Sequence, residues 1–130
     1  MKSLTKMSKL TAVIKQFEQA LSRLDEVLKE PKTDIVRDSA IKRFEIVFDL
    51  SWKAVKVFLE EKKGVICRSP KECFRSAYQE KLLEYDDFWL ELTDSRNDIV
   101  HIYGEAEAEK VYGILPEALL RFKELLSVLK

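Results

Sequence analysis

Apolar residues recur every three or four positions along almost the whole chain, and no other property constrains the fold as much. Leu10, Ile14, Phe17, Leu21, Leu24 and Leu28 follow one another at steps of four, three, four, three and four. That spacing puts all six on one face of a helix. The segment runs from about Thr5 to Lys29 and stops ahead of Pro31. Ile41, Phe44, Phe48, Trp52, Val55 and Leu59 repeat the pattern in a second segment, which closes on Lys62-Lys63-Gly64. Basic residues followed by Gly form a C-terminal helix signal. Ser69-Pro70-Lys71-Glu72 reads as a helix start, with Ser69 as cap, Pro70 at the first helical position and Glu72 as the capping-box acid. A shorter helix follows to about Lys81. Asp86 or Asp87 caps a fourth, which carries Phe88, Leu92, Ser95, Ile99 and Ile102 on one stripe until Gly104 interrupts it. The last segment, from about Glu105 to Leu129, carries Val111, Leu115, Leu119, Phe122, Leu126 and Leu129. Pro116 lies inside it. An interior Pro costs a helix about 3 kcal/mol, so a kink is expected there.

No segment alternates with period two, so no strand is predicted. Only three Gly and three Pro punctuate 130 residues. The expectation is an all-α fold, an antiparallel up-down bundle of about five helices forming one domain over residues 1–130. Seven Phe, four Tyr and two Trp make the stripes wide, and the surplus suits a second copy of the chain, a homodimer. The 23 basic and 23 acidic residues cancel, which argues against a globally basic nucleic-acid-binding domain. No stretch approaches the roughly 20 apolar residues of a membrane span. Met1-Lys2-Ser3-Leu4-Thr5-Lys6 holds no signal-peptide core, so the expected setting is the cytoplasm without membrane attachment. Cys67 and Cys73, with one His in the chain, are too few ligands for a zinc site. No metal or cofactor is expected, and both cysteines read as reduced, partly buried thiols.

The single histidine, His101, is the side chain best suited to proton transfer near neutral pH. On a helical wheel centred on Ile99 it points about 160° from the buried stripe, sharing an outer stripe with Asp94 and Asp98. Arg96 and Tyr103, seven apart, share a flank of the buried stripe, and Trp89 extends it. The plain alternative is a solvated His101, with Arg96 paired to a nearby acid. On a straight helix Arg96 and His101 diverge by about 140°. A joint site therefore needs the helix to distort or end near His101, or a second subunit to close it. Charge is segregated: residues 52–75 hold seven basic and three acidic side chains, residues 84–109 nine acidic ones and one Arg. Phosphate contacts normally need Lys and Arg, so the acidic region suits a basic partner protein. The second helix and the loop after it offer phosphate contacts if they lie near the motif. Glu45 and Asp49, one turn apart, read as a polar face, and Asp86-Asp87 as a cap. There is no Gly-rich phosphate loop and no Gly-x-Ser-x-Gly.

Arg96, four intervening residues, His101, Ile102 and Tyr103 match the Arg-x4-His-x-Tyr form of the HEPN signature. The context agrees: Phe44 through Trp52-Lys53, Gly64, Ser69-Pro70-Lys71-Glu72-Cys73-Phe74-Arg75, and Trp89-Leu90 ahead of Asp94-Ser95-Arg96-Asn97. Along nearly its whole length the chain resembles the nucleotidyltransferase substrate-binding, HepT-like proteins. The resemblance implies an antiparallel, homodimeric helical bundle and a separate minimal nucleotidyltransferase as partner, often encoded beside it. It implies two roles. One is a toxin, a metal-independent ribonuclease that the partner silences by placing AMP groups on the motif tyrosine. The other is a non-catalytic substrate-binding subunit that presents a nucleotide or acceptor to the transferase. Under the first, His101 is the general acid/base or orients the ribose 2′-hydroxyl, and Arg96 stabilises charge on the scissile phosphate. Tyr103 is then the modified hydroxyl, and Asn97 and Asp98 are supporting groups.

Overall fold

The structure is a computed structural model that describes residues 8–102 and 104–130. It is all-helical, with α1 at Lys9–Leu28, α2 at Asp34–Lys63, α3 at Pro70–Gln79, α4 at Phe88–Asp98 and α5 at Glu105–Leu129. A one-turn 3-10 helix, Ile99–His101, follows α4. Among the described residues there is no strand.

Side chains and turn residues mark the helix ends. Ser8 Oγ accepts the Thr11 N–H at 3.0 Å, and Thr33 Oγ1 accepts the Val36 N–H at 3.1 Å. These caps satisfy N–H groups that the first turn leaves without helical partners. Residues Thr5 to Met7, predicted to begin α1, lie outside the described residues. Gly64 ends α2 in the left-handed region at φ 65°, a conformation that suits a residue without Cβ. Ser69 caps α3 at its expected start. At α4 the Asp86 carboxylate takes the Phe88 N–H at 3.0 Å. α5 runs as one helix through Pro116.

α2 is the centre of the bundle, packed by α1, α5 and α3, while α4 lies against α3 and touches α2 more lightly. Phe17, Phe44, Phe48 and Phe122 are fully buried. Edge-to-face and tilted ring contacts link Phe17 to Phe122 at 6.2 Å and Phe48 to Phe74 at 5.9 Å. Trp89 stacks on Phe74 at 4.6 Å and meets Phe122 at 5.8 Å, which fastens the start of α4 to the core. Such ring pairs add to the burial of large apolar side chains. One charge is buried with partners: Arg37 donates to Glu109 at 3.1 Å and to Asp38 at 3.0 Å.

Two expectations are corrected. Cys67 and Cys73 are joined in a disulfide with Cα atoms 5.1 Å apart, and both are fully buried rather than partly buried free thiols. The cause is the start of α3 at Ser69-Pro70, which folds the loop back so that its two ends meet across six positions. The fourth helix is also shorter than its stripe implied. The α-helix stops at Asp98, the chain tightens into the 3-10 turn, and Ile102 is extended at φ −83°, ψ 109°. Gly104 opens α5 as its N-cap rather than interrupting α4.

Candidate functional site

Arg96 lies in the last turn of α4, on the flank that meets α2. Its Nε donates to Asp49 Oδ1 at 3.1 Å and its Nη2 to Asp49 Oδ2 at 3.0 Å, a two-pronged pairing. Nη1 stands 3.3 Å from Glu45 Oε2. The planar guanidinium matches the carboxylate fork, so this geometry is stronger than a single ionic contact. Hydrogen bonding to Asp49 raises the Arg96 pKa further above its ordinary value, and the nearby Asp49 and Glu45 charges add to the effect. Arg96 is thus a fully charged group held in place by two acids. Asp49 and Glu45 are one turn apart, as their spacing indicated. Their polar face turns out to be the Arg96 seat, which sequence spacing within one helix does not reveal.

His101 lies in a different environment. It is exposed, at the end of the 3-10 turn. With Ser95, Asp98, Ile102, Glu107 and Lys110 it lines a groove of about 300 Å³ between the end of α4 and the first turns of α5. The wheel placed His101 outside beside Asp98, and both are exposed there. Arg96 does not line this groove. The helix does end near His101, yet within one chain the ending turns Arg96 toward α2 and His101 toward α5. Asn97 is exposed on the same last turn. Tyr103, the fifth residue singled out, lies outside the described residues. Glu107 and Lys110 were not anticipated. Only the tight 3-10 turn, which brings the start of α5 beside the end of α4, places them at His101.

The surroundings of α4 are less uniformly acidic than the chain segment that carries it. Lys71 of α3 meets Asp94 at 2.7 Å, and Arg121 of α5 meets Asp86 at 2.6 Å. Basic residues from neighbouring helices thus neutralise part of the acidic stretch. Among the described residues no group of three His, Cys, Asp or Glu side chains is arranged to hold a metal ion. No described helix is long and apolar enough to cross a membrane.

The family described as nucleotidyltransferase substrate binding protein like matches residues 5–130. A crystal structure from Thermus thermophilus superposes with a TM-score of 0.83 at 34% identity, over 88% of this chain and 98% of that one. A Haemophilus influenzae structure superposes with a TM-score of 0.68 at 26% identity, over 92% of this chain and 96% of that one. That protein is described as having the fold of a substrate binding domain of a nucleotidyltransferase. No protein of curated function matches the chain significantly.

Proposed function

The chain belongs to the nucleotidyltransferase substrate binding protein like family, and on that footing we propose that it is the partner subunit of a separate minimal nucleotidyltransferase. We infer further that its motif corner is a metal-independent ribonuclease site, silenced when the transferase places AMP on Tyr103. The observation that carries this reading is the complete Arg96-x4-His101-x-Tyr103 motif at a helix end, with His101 exposed beside an open groove.

The chemistry follows from the groups. A neutral His101 imidazole accepts the proton of a ribose 2′-hydroxyl. The freed oxygen attacks the adjacent phosphorus, a bond forms from O2′ to phosphorus, and the bond from phosphorus to O5′ breaks. The departing oxygen takes up a proton, and the products are a 2′,3′-cyclic phosphate and a 5′-hydroxyl. A guanidinium over the phosphate offsets the charge that builds there, the electrostatic role that usually dominates such reactions. Arg96 spends donors on Asp49 and does not line the His101 groove. A phosphate shared by both residues therefore calls for a homodimer, in which Arg96 of one copy approaches His101 of the other. The system is placed in the cytoplasm, with the RNA and the nucleotide donor. Complete burial of the Cys67–Cys73 bridge limits attack by thiols there.

The test is cleavage of total RNA by the purified protein and by the His101→Ala and Arg96→Ala variants, each checked for its helical signal. Both variants should lose cleavage. If both cut as well as the unaltered chain, the ribonuclease reading falls. A second reading draws on one specific observation, the commitment of Arg96 to Asp49 and Glu45. An arginine used to brace α4 against α2 suits a non-catalytic subunit that presents a nucleotide or acceptor to the transferase. That reading predicts no cleavage by the unaltered chain together with a stable complex with the transferase.

A further inference from the structure

The Arg96 seat continues into a second feature of the same helix face. Glu45, Asp49, Lys53, Lys56 and Glu60 follow at steps of three and four along α2, with Trp52 beside Lys53, so they lie within one face of the helix. Lys53 and Lys56 lie about 6 Å and about 10 Å along the axis from Asp49. Over this stretch α1 and α2 enclose a groove of about 400 Å³. Trp52, Lys53, Lys56 and Glu60 line it from α2, and Lys9 and Gln16 from α1. Lys9 and Lys53 are exposed, and Trp52 is half-buried with the Lys56 ammonium 6.0 Å from its ring. Among the described residues none of these three lysines has a carboxylate within ion-pair distance. The other acids of the stripe, Glu45 and Asp49, are occupied by Arg96.

We propose that this α1–α2 groove is a binding track for the sugar–phosphate backbone of single-stranded RNA, leading along α2 toward Arg96. Three lysines against one acid give the net positive lining that a polyanion requires, and phosphate neutralisation supplies most non-specific affinity for nucleic acid. A half-buried tryptophan among lysines adds a face on which a base can stack, the pairing of features that single-strand binders use. Ala12, Val13 and Val57 also line the groove, but the Trp52 ring is half-buried with Lys56 near it, whereas a lipid surface would favour an apolar rim facing outward. Local charge explains how a chain of zero net charge holds RNA: nine of the 23 acidic residues fall within residues 84–109, and Glu60 is the one acid in the lining of this groove. The inference deepens the RNA-directed reading above but concerns binding, so the two can fail separately.

The test is fluorescence anisotropy of a labelled single-stranded oligoribonucleotide with the His101→Ala chain, over a series of salt concentrations. With three lysine contacts, log K should fall against log salt with a slope of about −2, at roughly 0.7 per phosphate contact. The added double substitution Lys53→Glu with Lys56→Glu should weaken binding roughly tenfold and bring the slope above about −1. Tryptophan fluorescence should be quenched by RNA, and Trp52→Phe should remove most of the quench while buried Trp89 stays silent. Binding with these features but without cleavage by the unaltered chain would uphold the track and sink the ribonuclease reading. Unchanged affinity and slope in the charge-reversed variant would overturn the track. So would absence of RNA binding, including the case in which phosphatidylserine vesicles bind instead.

Discussion

Arg96 has two duties to separate, bracing α4 and acting on a phosphate. Its two-pronged bond to Asp49 joins the last turn of α4 to the middle of α2. Replacement by Ala should cost about 1 kcal/mol in urea denaturation, the scale of a partly exposed charged hydrogen bond. His101 is exposed and its replacement should change stability by less than about 0.5 kcal/mol. Equal stability losses in the two variants would contradict the geometry, and a large activity loss in His101→Ala alone could not be assigned to unfolding. Glu109 offers a pH test. Hydrogen bonds from Lys32 first, then Arg37, hold its carboxyl below the ordinary 4.5. Its folded pKa is depressed, so its stabilising effect is present above the unfolded value and lost as pH falls through the folded one. The difference in melting temperature between the unaltered chain and Glu109→Gln should be constant near neutrality and vanish at acid pH below the usual carboxylate range. A difference that grows on acidification would have the wrong sign.

At the scale of elements, the stripes at three and four residues and the caps at Ser69 and Gly64 made the five helices legible. Burial of Phe17, Phe44, Phe48 and Phe122 is what those stripes encode. The apolar stripe of α2 begins only at Ile41 and leaves the helix start at Asp34 unmarked, although Thr33 followed by an acid is a cap signal. Ile99 and Ile102 keep the helical period and so hide the end of α4 at Asp98, where the chain tightens into the 3-10 turn. The site was legible in residue type and illegible in partnership. Asp49 and Glu45 come from 47 residues away or more, and periodicity within a helix carries no information on which neighbour it meets. The disulfide escaped for the same reason: a spacing of six says nothing until the chain turns at Ser69-Pro70. Thiol titration of the unreduced, denatured protein should find no free thiol, and reduction should cost about 2 kcal/mol of stability for so short a loop. Two titratable thiols would contradict the pairing.

For the whole molecule, the division of Arg96 and His101 between two faces is the reason to expect a homodimer. Val100, between Ile99 and His101, is 66% exposed, and Ile46, beside Glu45, is 44% exposed. Apolar residues so placed beside both motif residues suit burial by a second copy. Light scattering should report a dimer, and Val100→Glu should shift it toward the monomer; a monomeric unaltered chain would leave Arg96 and His101 apart and favour the non-catalytic role. Beyond the dimer stands the proposed partnership with a nucleotidyltransferase acting at this corner. Its most direct test is the intact mass of the protein after incubation with a minimal nucleotidyltransferase, ATP and magnesium. Mass increments of AMP should appear, and should vanish in Tyr103→Phe. No increment together with no complex on gel filtration would contradict it.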